Sequence, residues 1–143
     1  MRKIFLFLIS AVLLASCAKE YEEVVEDTYE DGSPKTVKVF EVNGDEKDLV
    51  KEIAYYENKQ KRLEGEYKDG QRNGFWQYWY ENGNKWSEGY YIKGINDGKT
   101  ATWHENGQQY YEGSFHNGER AGIWKFRDEK GEFIKEINYS GFE

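Results

Sequence analysis

Glycine recurs along this chain at intervals of 24 residues, and no other feature of the sequence restricts the possible fold as strongly. Four series share the interval: Gly65, Gly89 and Gly113; Gly70, Gly94 and Gly118; Gly74, Gly98 and Gly122; and Gly83, Gly107 and Gly131. Such a period is typical of a chain that repeats one supersecondary unit. The predicted units are a degenerate first copy at about 29–50, followed by 51–74, 75–98, 99–122 and 123–143.

Side chains inside a unit alternate with a period of two residues, which indicates β-strands. Residues 75–80 carry aromatic side chains on both parities, as expected for a strand with two covered faces. Asn82-Gly83 follows, a pair that favours a two-residue hairpin turn with both residues at positive φ. Residues 84–91 return as the second strand, in which Gly89 indicates a bulge or a place where an aromatic ring lies on bare backbone.

The composition suits a thin sheet rather than a deep aliphatic core. Aromatic residues make up 17% of the chain, and such rings fit a pleated, half-buried surface. Because an isolated hairpin is only marginally stable in water, successive hairpins must pair side by side. We therefore predict an all-β fold, an elongated antiparallel meander of β-hairpins with a 24-residue period.

The first residues have the three parts of a secretory signal. Arg2 and Lys3 are basic, residues 4–14 are apolar except for one serine, and small residues follow at 15–16. The apolar run is too short for a permanent transmembrane helix, which needs about 20 residues. Cys17 comes next and is the one cysteine of the chain, so it has no intramolecular disulfide partner.

The sequence Leu-Ala-Ser-Cys at residues 14–17 resembles the lipobox of bacterial lipoproteins. The resemblance implies a signal peptide at 1–16, cleavage before Cys17, and acyl chains on that cysteine. Two or three such chains give a stable membrane anchor. We therefore expect the protein to be lipid-anchored in the cell envelope. Ala18 and the charged residues after it resemble sorting signals for the outer membrane and the cell surface.

Residues 17–28 are dense in glutamate, and we predict that they form a solvated acidic tether. Loss of the signal peptide removes two of the 20 basic residues, which leaves 18 against 27 acidic ones and a net charge near −9. A chain this acidic is not expected to bind nucleic acid.

The repeated text resembles a known family. The recurring motifs are Tyr-Glu-Asn-Gly or His-Glu-Asn-Gly, then Glu-Gly, then two further glycines four residues apart, as in residues 80–98. They resemble the bacterial variant of the MORN repeat (membrane occupation and recognition nexus) over about residues 51–139. The resemblance implies an elongated, twisted antiparallel sheet, and bacterial chains of this kind are often labelled antitoxin-like. The sequence departs from the pattern at Lys59, Thr100 and Ile137.

No set of residues in the sequence has the pattern of a catalytic or metal site. The two histidines, His104 and His116, have no metal-ligand spacing, and both are predicted near turns. We therefore expect no enzymatic activity, no metal and no cofactor. Glu64, Glu88 and Glu112 should form a row along a regular sheet, where each is more readily explained as a partner of a nearby lysine than as a cation ligand.

The aromatic residues leave several functions open. Most rings are expected to cover the sheet, while some form an exposed interaction surface, since interfaces favour aromatic residues. The candidates for that surface are Trp79, Trp86, Trp103 and Tyr110. The leading hypothesis is a non-enzymatic scaffold that binds another protein. The alternatives are an antitoxin or immunity protein that neutralises a toxin, and a glycan-binding envelope protein.

Overall fold

The protein forms one antiparallel sheet of ten strands, described for residues 19–140 in a computed structural model. The strands follow one another in the sheet in chain order, and each pairs only with its sequence neighbours. Their bounds are β1 Glu20–Thr28, β2 Pro34–Asn43, β3 Glu46–Tyr55, β4 Lys61–Lys68, β5 Gln71–Trp79, β6 Lys85–Ile92, β7 Ile95–Trp103, β8 Gln109–His116, β9 Glu119–Arg127 and β10 Phe133–Asn138. The predicted all-β antiparallel meander is confirmed, and residues 19–140 contain no helix, hence none that could span a membrane.

The predicted acidic tether is wrong for residues 20–28, which form strand β1 and pair with β2 over their whole length. Lysines oppose the acidic side chains: Lys38 Nζ lies 2.6 Å from Glu26, and Lys47 Nζ lies 2.5 Å from Glu22. The charge density of residues 20–28 alone favours a solvated segment, because the basic partners lie in the later strands β2 and β3. The predicted signal peptide and Cys17 lie outside the described residues.

Two kinds of turn alternate along the sheet, and the predicted turn at Asn82-Gly83 is of the wrong kind. Gly83 has a φ of 88°, whereas Asn82 does not have a positive φ. The amide of Gly83 donates to the carbonyl of Tyr80 (3.0 Å), and that of Tyr80 to the carbonyl of Asn84 (2.8 Å). These bonds close a three-residue loop that ends in a left-handed glycine. The two-residue turns with both φ positive lie at the opposite strand ends, at Asp69-Gly70, Lys93-Gly94 and Asn117-Gly118.

Alternation along the strands gives the sheet two unlike sides. The aromatic face carries Trp76 and Trp124, whose side chains are 0% exposed. The opposite side, called here the charged face, carries Glu64, Glu88 and Glu112. A small core on the aromatic face consists of Ala54, Leu63 and Trp76 with partly buried Tyr67, Tyr78 and Tyr91 against it.

The predicted unit boundaries lie inside strands rather than at turns. The boundaries after residues 50, 74, 98 and 122 fall within β3, β5, β7 and β9. Three of them coincide with glycines of positive φ, namely Gly74 (83°), Gly98 (112°) and Gly122 (65°). These glycines mark irregular positions within strands, so the repeated text and the hairpin it produces are out of phase.

Candidate interaction surfaces

The glutamate row predicted from the sequence is present on the charged face, and each member has a basic partner. Lys51 and Lys61 both contact the Glu64 carboxylate. Burial alone would raise the pKa of Glu64, but the hydrogen bonds from these two lysines outweigh it and lower the pKa below its ordinary value. Glu88 pairs with Lys85 at 2.7 Å, and Glu112 with Arg127 at 3.5 Å. Within residues 19–140 no cluster of ligands suitable for a metal ion is formed.

The structure divides the predicted interaction surface between the two faces. Trp79 and Trp103 lie on the charged face and are partly buried. Lys61 Nζ is 5.4 Å from the ring centroid of Trp79, and Lys85 Nζ is 5.1 Å from that of Trp103. A cation over the ring covers each indole, so these two tryptophans serve mainly as packing surface for lysines.

The other two predicted residues, Trp86 and Tyr110, lie on the aromatic face at β-bulges. Trp86 and Ser87 together oppose Tyr78, and Tyr110 and Tyr111 together oppose Thr102. In each bulge two residues oppose one, and the extra residue is left unpaired. Trp86 is 46% exposed and Tyr110 is 40% exposed. Both are therefore more exposed than Trp79 and Trp103 on the charged face.

Two aromatic clusters dominate the aromatic face. In the first, the Arg72 guanidinium lies 4.2 Å from the Trp76 ring centroid, and Arg72 donates to the Tyr78 hydroxyl at 3.0 Å. Burial, helped by neighbouring tyrosines, raises the pKa of Tyr78 to about 12. In the second, Arg120 lies 4.5 Å from the ring centroid of Trp124. The rings packed around Trp124 are those of Tyr111, Phe115, Phe126 and Tyr139.

A notch separates these clusters, and it was not predicted. It is a depression of about 140 Å³ lined by Tyr78, Trp86, Ser87, Thr102 and Tyr111. The notch exists because a small residue, Thr102, occupies a position at which the two neighbouring units have large rings. The residues 24 positions before and after it are Tyr78 and Phe126. Thr100 likewise stands between Trp76 and Trp124. The departure at Thr100 was visible in the sequence, and Thr102, two residues later in the same strand, departs from the neighbouring units in the same way.

A patch of exposed apolar residues on the charged face was also missed. Tyr90 is 48% exposed, Ile92 54% and Ile95 50%. Ile92 and Ile95 pair across the Lys93-Gly94 turn, and Tyr90 pairs with Phe75 at a ring-centroid distance of 4.9 Å. The residues 24 positions before and after these three are polar: Glu66 and Ser114, Lys68 and His116, and Gln71 and Glu119. That difference was the signal available in the sequence. We call Tyr90, Ile92 and Ile95 the isoleucine patch.

A cavity of about 770 Å³ lies at the N-terminal end of the charged face. Val25, Val37 and Ile53 form its apolar floor, with Glu23 and Lys59 among its charged walls. Val37 is 8% exposed and is part of the hydrophobic core at this end. At this end of the sheet the apolar packing therefore lies on the charged face, whereas the core around Trp76 lies on the aromatic face.

The two histidines lie apart and have separate contacts. A ring nitrogen of His104 lies 3.3 Å from the carbonyl oxygen of Arg127, and His116 lies 3.5 Å from Asp97. Neither contact involves a nucleophile, and the His116–Asp97 pair is not part of a larger group of possible metal ligands within residues 19–140. No protein-family model matches the chain, and no curated protein is significantly similar to it.

Proposed function

We propose that this protein is a lipid-anchored, non-enzymatic envelope protein whose sheet of MORN-type hairpin units is a scaffold for binding another protein. Each unit in this proposal has 24 residues and contributes two strands. The acyl chains on Cys17 hold the N-terminal edge of the sheet at the membrane, in the outer membrane by resemblance to known sorting signals.

Recurring hydrogen bonds between hairpins support the repeat assignment. The hydroxyls of Tyr56 and Tyr80 donate to the carbonyls of Trp79 and Trp103, each 23 residues later, at 2.8 and 2.9 Å. Three asparagine side chains donate in the same way to carbonyls 23 residues later: Asn58 to Glu81, Asn82 to Glu105, and Asn106 to Glu129. Through these bonds, the tyrosine and the asparagine of the repeated motif both join successive hairpins.

The isoleucine patch is the observation that carries the scaffold proposal. Exposed aliphatic side chains that are grouped together on a protein surface usually belong to a binding site, because their hydration is unfavourable. The neighbouring units have polar residues at the matching positions, so the hairpin does not need isoleucine there in order to fold. Lys68 and His116 occupy the positions that match Ile92 in the two neighbouring hairpins, and such polar flanks resemble the polar rim of a protein interface.

The test uses the residues of the neighbouring unit. The double variant Ile92→Lys, Ile95→Gln gives this turn the side chains found at Lys68 and Gln71. Wild type and variant, each as the full chain with a C-terminal tag, are captured from detergent-solubilised membranes. The control Trp86→Arg, matched to Arg62, changes the aromatic face instead. We expect a specific partner with wild type and the control, and at least a tenfold lower yield with the double variant.

Equal recovery with wild type and the double variant would contradict the role of the patch. Recovery of no specific protein would contradict the scaffold proposal itself. Circular dichroism of each purified variant distinguishes a lost contact from lost folding. Both sets of substitutions use residues already present in equivalent hairpins, so we expect unchanged spectra.

The proposed anchor at Cys17 lies close to the sheet in sequence, and it can be tested by substitution. Strand β1 begins at Glu20, and three extended residues span at most about 10 Å. We expect Cys17→Ser to abolish incorporation of labelled palmitate and to prevent cleavage of the signal peptide before residue 17. Labelling that persists in the Cys17→Ser variant would contradict acylation at this residue.

A further inference from the structure

The notch on the aromatic face lies at the one place in β5–β9 where the row of rings is interrupted. Leu63, Tyr78, Ser87, Thr102, Tyr111 and Phe126 form one continuous row across six paired strands. Two hydroxyl residues replace bulky ones in the middle of that row, while Tyr78 and Tyr111 stand on either side. A core formed only for stability would be filled here, since an unfilled space forfeits packing energy.

The lining of the notch determines which ligands fit it. None of its five lining residues carries a formal charge at neutral pH, which favours a neutral ligand. Flat rings stand at its sides, and Trp86, 46% exposed, lies edge-to-face with Tyr78 at 5.8 Å between centroids. Apolar walls with a few placed polar groups are typical of small-molecule sites.

The polar groups are concentrated at the floor of the notch. The hydroxyls of Ser87 and Thr102 lie 3.4 Å apart, and Ser87 also lies 3.4 Å from the carbonyl of Ala101. Bonds this long are weak, so both hydroxyls can turn toward a ligand at little cost. A pyranose ring has an apolar face of C–H groups for an aromatic wall and hydroxyls at its rim for such a floor.

We infer that the notch is a binding subsite for a neutral pyranose ring of a glycan, in addition to the protein contact proposed above. The ring stacks against an aromatic wall of the notch, while its hydroxyls exchange hydrogen bonds with Ser87 and Thr102. The inference is independent of the isoleucine patch, which lies on the other face of the sheet.

Two variants test the site. The first, Thr100→Trp with Thr102→Phe, gives the notch the residues found at Trp124 and Phe126. Gly89 lies opposite Thr100, as Gly65 lies opposite Trp76, so the added indole has bare backbone to lie on. This variant should fill the notch and raise the melting temperature. The second, Thr102→Val, preserves the volume of the side chain and removes its hydroxyl.

Binding is measured on the intact mature chain by saturation-transfer difference NMR and by tryptophan fluorescence. The probes are methyl β-D-glucopyranoside, methyl β-D-galactopyranoside and N-acetylglucosamine, with N-acetyltyrosine amide as a model of a peptide ring. We expect at least one neutral pyranoside to bind to wild type. The filled variant should bind it at least tenfold more weakly, and Thr102→Val severalfold more weakly.

Three results would overturn the inference. These are no response to any of the three sugars, equal sugar binding by the folded filled variant, and binding of N-acetyltyrosine amide alone. The third would assign the notch to a peptide side chain. The Ile92→Lys, Ile95→Gln variant should bind sugar as wild type does, so failure of the sugar site and failure of the protein contact are distinguishable.

Discussion

At two places on the aromatic face, an indole ring lies directly on a glycine of the neighbouring strand. A Cβ added to Gly65 would overlap the ring of Trp76, and one added to Gly113 would overlap that of Trp124. The ring on bare backbone was predicted from the sequence at Gly89, where the structure instead has Thr100. Gly89 does precede a register irregularity, so the alternative prediction of a bulge at that site is the correct one.

Alanine substitutions at Gly65 and Gly89 should differ in how much they change the free energy of unfolding. Gly65→Ala must displace the buried Trp76 indole, and overpacking of this kind costs about 1–3 kcal/mol. At Gly89 the nearest atom to a new Cβ is Thr100 Oγ1 at 3.3 Å, a contact that a small movement relieves. We expect Gly89→Ala to change the unfolding free energy by less than about 1 kcal/mol. Urea unfolding measures both, and equal losses would contradict the special role of Gly65.

The raised pKa of Tyr78 predicts a loss of stability at alkaline pH. An unfolded tyrosine ionises near pKa 10.0, whereas burial raises the pKa of Tyr78 in the folded protein to about 12. Between these values the unfolded chain releases a proton that the folded chain retains, so unfolding becomes easier as the pH rises. Below pH 10 the contribution is fully present.

The matched variant for this prediction is Tyr78→Phe. It loses the bond from Arg72 and should be less stable than wild type at pH 8, but its stability should fall less steeply from pH 10 to pH 12. Urea midpoints followed by circular dichroism at several pH values give both slopes. Parallel slopes would show that Tyr78 does not titrate as described.

At the scale of elements, the β5–β6 hairpin was predicted correctly, but its turn at Asn82-Gly83 was predicted to be of the wrong kind. Asn82-Gly83 has the composition of a two-residue turn, yet the Asn82 amide group donates to Glu105 in the next hairpin, and its side-chain oxygen accepts from the amide of Asn84. Asparagine is present here for a contact with a neighbour distant in sequence. Local turn preferences contain no information about that neighbour, so only the pairing of hairpins could reveal its role.

The hydroxyl of Tyr80 joins two hairpins, and its removal should weaken that junction. Tyr80→Phe loses the 2.9 Å bond to the carbonyl of Trp103, which is expected to cost about 0.5–1.5 kcal/mol. The control is Tyr90→Phe, at a side chain that is 48% exposed and therefore contributes little through its hydroxyl. Thermal unfolding should show a lower midpoint for Tyr80→Phe alone. Equal midpoints for the two variants would remove the proposed role of Tyr80.

At the scale of the whole molecule, strand pairing only between neighbours makes the length of the sheet adjustable. If the unit has 24 residues, deleting residues 75–98 joins Gly74 to Lys99 and preserves side-chain alternation. We expect a folded eight-stranded sheet with a cooperative but less stable transition. Deleting 75–97 leaves one extra residue, and a slip of one residue sends side chains to the wrong face. Circular dichroism and urea unfolding should show that only the 24-residue deletion preserves cooperativity.

The sequence predicts the order of strands, but not which side chains share a face across the irregularities. Trp79, Trp86, Trp103 and Tyr110 were grouped by residue type, and the bulges at Trp86 and Tyr110 separate them. A bulge changes the parity of every residue beyond it on that strand. The patch and the notch follow from comparing each unit with its neighbours, because such a comparison requires no knowledge of the bulges.

The meander also determines how the protein would respond to mechanical load. In the proposed arrangement, an anchor on Cys17 would pull on the edge strand β1 at its start, while a partner bound at the isoleucine patch would hold β6 and β7. Tension between these points loads the hydrogen bonds of β1 one after another, starting from the Glu20–Val42 pair, so the sheet would unzip from its tethered edge. The Lys47–Glu22 ion pair and then the Lys38–Glu26 ion pair would have to break as β1 detaches.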